Sequence, residues 1–151
     1  RDVWPHPLLL VVKLTPNVTD LVSVARAAEE AGATALSMVN TFKGLVLDRL
    51  TLKPYLGGVT GGLSGPAIKP LALRCVYEVA SAVHVPVIGM GGVATVQDVV
   101  EFMACGASVV AVGSASFADP WIAQKLAVGL AAELEHREIH LEELVGAGHR
   151  R

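Results

Sequence analysis

Hydrophobic and polar positions alternate along this chain on the scale of whole elements rather than single residues. Short β-branched apolar runs at 8–14, 35–40, 85–89 and 108–113 end in polar or glycine residues, and each leads into a longer stretch of helical character. The runs are apolar on both faces, as parallel strands are when buried between an interior and a layer of helices, so the pattern predicts β-α-β-α-β-α-β-α. Helix ends punctuate it. Asn17-Val18-Thr19-Asp20 offers N-capping side chains ahead of a helix over 21–31, and Gly32 supplies a left-handed stop. Thr95 is suited to cap a helix that reaches Cys105, with Gly106 stopping it the same way. Aligning the two stops exposes an internal repeat, Ala31-Gly32-Ala33 followed by a strand against Cys105-Gly106-Ala107 followed by a strand. A small residue after the stop lets the chain turn tightly into the next strand, which is the βα repeat of a barrel.

A full barrel of this kind takes roughly 250 residues, and about four βα units are half of one. The fold class expected is therefore α/β, with residues 1–151 forming a single partial domain, the C-terminal half of a (β/α)8 TIM barrel whose N-terminal half is absent. An open doubly wound sheet is the alternative, but its G-x-G-x-x-G fingerprint after the first strand is missing. The opening Arg1-Asp2-Val3-Trp4-Pro5-His6 reads as a domain interior and not as a signal peptide.

Composition narrows the partners. With 52% hydrophobic and 17% charged residues the chain is core-rich, which excludes a disordered polymer. Its 12 basic and 14 acidic residues are spread along the chain, leaving no basic stripe for a nucleic acid. The uncharged apolar stretch ahead of Lys13 runs only from Pro7 to Val12, far short of the ~20 residues that cross a bilayer, so no membrane span is expected. Cys75 and Cys105 sit in helical stretches without a C-x-x-C pairing, so neither a disulfide framework nor a metal site is expected and a reducing cytoplasm is the default.

Ligands of α/β folds meet the C-terminal ends of the strands, so the residues just after each apolar run carry the chemistry. The third run ends Ile88-Gly89-Met90-Gly91-Gly92-Val93 and the fourth Val112-Gly113-Ser114-Ala115. Glycines let backbone N–H groups approach an anion closely, and a following helix N-terminus adds a favourable dipole, so the pair reads as a phosphate cradle; for either loop alone a simple tight turn competes. A further glycine-rich stretch, Gly57-Gly58-Val59-Thr60-Gly61-Gly62-Leu63-Ser64-Gly65-Pro66, precedes a helix beginning near Ala67 and reads as a loop over the active face. Lys13 interrupts an apolar run, where a buried charge needs an anion, a hydrogen-bonding ligand or an internal salt bridge. Asn40, with Thr41 beside it, ends the second run, where an amide serves either a planar heterocycle or a turn.

Taken in order, Val12-Lys13-Leu14-Thr15-Pro16-Asn17, Val39-Asn40-Thr41, Gly61-Gly62-Leu63-Ser64-Gly65-Pro66-Ala67-Ile68-Lys69-Pro70, Ile88-Gly89-Met90-Gly91-Gly92-Val93 and Ala111-Val112-Gly113-Ser114 resemble dihydroorotate dehydrogenase of class 1, nearest its NAD-linked subclass, over the chain to about Pro120. The resemblance implies an FMN-dependent oxidoreductase of pyrimidine biosynthesis that converts dihydroorotate to orotate. It implies Lys13 against the flavin ring, Asn40 and Thr41 on orotate, and Gly65, Gly91, Gly92, Gly113 and Ser114 around the FMN phosphate. A homo-oligomer and an electron-transfer subunit are the partners it suggests.

One departure stands out. The family removes the substrate proton with a cysteine on a loop ahead of the Val-Lys-Leu strand, so no catalytic residue is assigned in this chain and the base is expected upstream; Cys75 and Cys105 are excluded by position. The segment after Pro120, including 133–138 and His140, reads as a structural amphipathic helical tail. The rivals are the pyrimidine-reducing domain of dihydropyrimidine dehydrogenase, which resembles the same Lys-Leu-Thr-Pro-Asn segment, and a non-catalytic half-barrel that binds a phosphorylated ligand or a partner subunit.

Overall fold

The computed structural model describes residues 8–150, so the reading of the opening 1–6 lies outside the described residues. The four apolar runs form β1 (Val11–Lys13), β2 (Ala35–Met38), β5 (Val87–Met90) and β6 (Val109–Ala111), each shorter than its run, with β5 extending one residue past it. They build one parallel four-stranded sheet in the order β1-β2-β5-β6. Between β2 and β5 lies an antiparallel pair, β3 (Phe42–Gly44) and β4 (Gly61–Leu63), which periodicity did not foresee. Glycines dominate β4, so no apolar alternation marks it, and part of the expected glycine-rich loop is in fact a strand.

Helices α1 (Leu21–Glu30), α2 (Lys69–Ala80) and α3 (Val96–Ala104) follow β1, β4 and β5. Asp20 caps α1, accepting from the Ser23 amide at 3.0 Å. Of the expected capping run only this residue does the capping. Pro66 opens a single 3-10 turn (Pro66–Ile68) that runs directly into α2. The repeat around Gly32 and Gly106 is a pair of matching Schellman stops. Gly32 N–H donates to the Glu29 carbonyl and Ala33 N–H to Ala28, while Gly106 N–H donates to Met103 and Ala107 N–H to Phe102. Both glycines have left-handed φ, 96° and 103°, which a Cβ would strain.

The register fixes which side chains face the helices. Val12, Leu36, Met38, Val87 and Val110 join the core with Ala25, Ala72, Val76 and Phe102. Gly89 lies on this same face, and a Cβ there would approach Phe102 to 2.7 Å. The opposite face carries Val11, Lys13, Ser37, Ile88, Met90 and Val109, of which only the central Ser37 is buried. The apolar runs were expected to be buried on both faces; instead Val11 is 48% and Val109 52% exposed. Both belong to edge strands, where one side of the strand and the uncovered face meet solvent together.

The tail comprises α4 (Ala115–Ala118), α5 (Ile122–Arg137), α6 (Leu141–Leu144) and a last 3-10 turn (Ala147–His149). Gly129 lets α5 approach Val96 of α3 more closely than any side chain would allow. His149 stacks on Tyr77 and its Nε2 lies 3.0 Å from the Cys105 carbonyl, which ties the final turn to the ends of α2 and α3. No helix among the described residues is long and apolar enough to cross a membrane.

Candidate functional site

Because all four sheet strands are parallel, the segments that follow them converge at one end of the sheet. There they enclose a cleft of about 370 Å³ lined by Lys13, Val39, Asn40, Thr41, Ser64, Gly65, Ile68, Met90, Gly91, Gly92, Val93, Gly113, Ser114, Ser116 and Phe117. Every residue singled out from the sequence for ligand contact lies on this one wall. Its size is within the range of small-molecule sites, and its composition is mixed: an apolar floor from Val39, Ile68 and Met90 with polar groups at either end.

At the glycine end three loops meet. Gly65, Gly91 and Gly92 have φ of 88°, 130° and 81°. A Cβ on Gly91 would come 2.8 Å from Ala72, and one on Gly92 would come 2.7 Å from the Gly65 carbonyl oxygen, so these two glycines are demanded by packing as well as by conformation. Gly113 differs. Nothing lies within 4 Å of a Cβ built there, so packing among the described residues does not explain its lack of a side chain. The amides of Gly92, Val93, Gly113 and Ser114 donate to no protein acceptor among the described residues. The result is a concavity of free N–H donors, the arrangement that suits a phosphate.

The α3 N-terminus contributes less than the sequence suggested. The Asp98 carboxylate already accepts from the amides of Ala94 at 2.9 Å and Thr95 at 2.8 Å, while Thr95 Oγ1 accepts from the Asp98 amide at 3.2 Å. This capping box engages the amides of Ala94, Thr95 and Asp98 and puts the Asp98 carboxylate beside the start of α3, so an anion would be met by the glycine amides upstream of it. Lys69 Nζ lies 2.6 Å from Asp98 and 2.9 Å from Glu101, bracing the loop against α2. Burial alone would raise the Asp98 pKa, but the Lys69 ammonium and the donors of Ala94 and Thr95 outweigh it and hold the carboxyl down at about 2. Sequence reasoning found Thr95 but missed Asp98, although the spacing Thr95-x-x-Asp98 was the available signal. It also missed Phe117, 91% exposed at the cleft rim on the very short α4.

Lys13 and Asn40 form the other end. Lys13 was expected to be buried with a partner; it is exposed, and no salt bridge involves it among the described residues. The reason is topological: β1 is an edge strand and Lys13 points from its uncovered face, where water solvates the ammonium. Asn40 Oδ1 accepts from the Thr41 amide at 2.8 Å, which leaves its NH2 group without a protein acceptor among the described residues. The turn reading of Asn40 accounts for one end of its amide and leaves the other end open to the cleft. Neither cysteine lines the cleft. Cys75 is buried in α2 and Cys105 half-buried at the end of α3, and burial pushes both thiols above their ordinary pKa.

Sequential parallel strands with helices on one face define an α/β protein, with a cluster of free glycine-loop amides at the C-terminal strand ends. The sequence model of the dihydroorotate dehydrogenase family matches residues 5–134, and the chain belongs to that family. Among its relatives is the catalytic subunit of dihydroorotate dehydrogenase B (NAD(+)) from Fusobacterium nucleatum, 51% identical over 140 residues that make up 92% of this chain and 46% of the relative. The protein of the same name from Geotalea uraniireducens is 53% identical over 139 residues, 91% of this chain and 46% of the relative. A third, from Geobacillus kaustophilus, is 52% identical over 136 residues, 89% of this chain and 44% of the relative. The chain thus spans just under half the length of these curated relatives.

Proposed function

We propose that this chain supplies the flavin-phosphate cradle and the substrate-ring contacts of an FMN-dependent enzyme that oxidises dihydroorotate to orotate in pyrimidine biosynthesis. The observation that carries the reading is the single cleft that gathers Lys13, Asn40, Thr41, Gly65, Gly91, Gly92, Gly113 and Ser114 from five separate segments. The four-stranded sheet is read as the C-terminal half of a (β/α)8 barrel, with 1–151 as one partial domain. Sequential strand order and an uncovered inner face favour that closure over an open doubly wound sheet, which reverses its strand order and carries helices on both faces.

The residues present fit FMN. Free amides at Gly92, Val93, Gly113 and Ser114, with open space where a Gly113 side chain would stand, suit its phosphate. The apolar floor of Val39, Ile68 and Met90 suits a planar ring system. When bound, FMN supplies a hydride acceptor. Lys13 would hold the ring with its ammonium, a cation suited to the negative charge such a ring would take on when reduced. Asn40 donates from its free NH2 to a carbonyl of the planar substrate, and Thr41 adds a hydroxyl, so the substrate is held in one orientation against the ring. Neither Cys75 nor Cys105 is placed to remove the substrate proton, since both thiols are displaced from the cleft and burial raises their pKa.

The relatives' description as a catalytic subunit linked to NAD(+) supports a further subunit, which we read as an electron-transfer one; a homo-oligomer is part of the same proposal. The two free cysteines accord with a reducing, cytoplasmic location. The test exploits Gly113, where a larger side chain meets nothing but the cleft. In the complete protein, Gly113→Leu is expected to keep the unfolding midpoint and to lower FMN affinity at least about tenfold, which is ~1.4 kcal/mol. Unchanged FMN affinity in a folded Gly113→Leu protein would overturn the reading.

A further inference from the structure

Asn17 follows the Lys13 strand and sits beside the hairpin that begins at Thr41. Its side-chain amide donates from Nδ2 to the Thr41 carbonyl at 2.9 Å and accepts at Oδ1 from the Lys43 amide, also at 2.9 Å. Residues two apart on a strand point their backbone groups to the same edge, and β3 uses Phe42 and Gly44 to pair with Leu63 and Gly61 of β4. The other edge of β3 is therefore closed by one asparagine side chain, whose planar donor and acceptor stand in for a missing strand residue. Thr15 Oγ1 accepts from the same Nδ2 at 3.1 Å and from the Asn17 amide at 3.3 Å, which fixes the side chain's own orientation. Asp20 does the capping of α1, so Asn17 is not needed there.

The chain of contacts continues into the cleft. Thr41, held through its carbonyl by Asn17, donates its amide to Asn40 Oδ1 at 2.8 Å and thereby selects which end of the Asn40 amide faces the ligand. We propose that Asn17 is a positioning residue for substrate: by closing the free edge of β3 it holds the Asn40–Thr41 step in the conformation that grips the planar ring, without touching that ring. This inference rests on the reading of Asn40 and Thr41 as orotate contacts. It makes ring affinity depend on a residue outside the main cleft while leaving the phosphate cradle, built from other loops, untouched.

The substitution that isolates the contact is Asn17→Asp. It is isosteric, retains the acceptor for Lys43, and replaces the donor to the Thr41 carbonyl with a repelling oxygen. In the complete FMN-loaded protein, orotate affinity, read from the perturbation of the flavin spectrum, is expected to fall at least about fivefold, with FMN affinity within roughly twofold of wild type. Asn17→Ala, which removes both bonds without adding charge, is expected to give the same split and serves if the aspartate variant does not fold. Asn40→Ala, measured in parallel, separates the two claims. Loss of orotate affinity in Asn40→Ala with none in either Asn17 variant refutes the positioning role alone. No loss in any of the three refutes the substrate reading of Asn40 and the inference with it. A parallel fall in orotate and FMN affinity marks a general structural role and also overturns the proposal.

Discussion

Lys13 lines the cleft, but not in the surroundings that its place in an apolar run suggested. A lysine inside an apolar run signals a functional cation, because burial of an unpaired ammonium is costly. In the structure the ammonium is exposed on the uncovered face of an edge strand, so it pays little desolvation and is free to meet a ligand. An exposed side chain without a salt bridge contributes little to folding, which gives a sharp expectation for Lys13→Ala. In the complete protein, flavin reduction by dihydroorotate should slow on the order of a hundredfold while the unfolding midpoint stays near wild type. Rapid-mixing measurement of flavin bleaching checks the first part, and wild-type rates would remove Lys13 from the mechanism. Asn40 and Thr41 were legible as a strand-end pair, whereas Asn17 was read only as part of a capping run. The partners of Asn17 lie 24 and 26 residues away, a separation that no local pattern records.

At the level of elements, the glycine loop after β5 is held from below by the capping box of α3. Asp98 is the hub, joined to Lys69 on α2 and to the amides of Ala94 and Thr95. Its carboxyl titrates at about 2, below the ordinary 3.8. A depressed folded-state pKa means that the stabilisation is fully present above the unfolded value and is lost as pH falls through the folded one. Stability should therefore decline between about pH 4 and pH 2 by roughly 2 kcal/mol from this group. Asp98→Asn should be less stable than wild type near neutral pH and should show a shallower decline over that window, measured as urea midpoints against pH. An undiminished slope in the variant would place the acid sensitivity elsewhere. The Schellman stops at Gly32 and Gly106 were readable because a glycine after a helical run has few other reasons to be there. The β3–β4 pair was not, because Gly61 and Gly62 carry no side-chain signal and pair only through backbone groups.

At the scale of the molecule, the sheet formed by the described residues leaves two edges, β1 and β6, and a face on which Val11 and Val109 are about half exposed. Unpaired strand edges beside exposed apolar side chains recruit further strands. A polypeptide of these 151 residues is therefore expected to self-associate in solution, and to lack dihydroorotate oxidation because neither thiol reaches the cleft. Sedimentation and a turnover assay test this directly; a stable monomer with activity would contradict the half-barrel reading and the assignment of the base to another segment. The sequence by itself determined the parallel βα order, the helix stops and the glycine loops that form the cradle, because each depends on a local period, on capping chemistry or on conformational freedom at one residue. Only the tertiary structure decided that Lys13 is exposed, that Asp98 joins Lys69 to the amides of Ala94 and Thr95, and that Asn17 closes the edge of β3. Those outcomes depend on which segments meet in space, and the free energy of a contact between residues far apart in the chain leaves no periodic trace in their order.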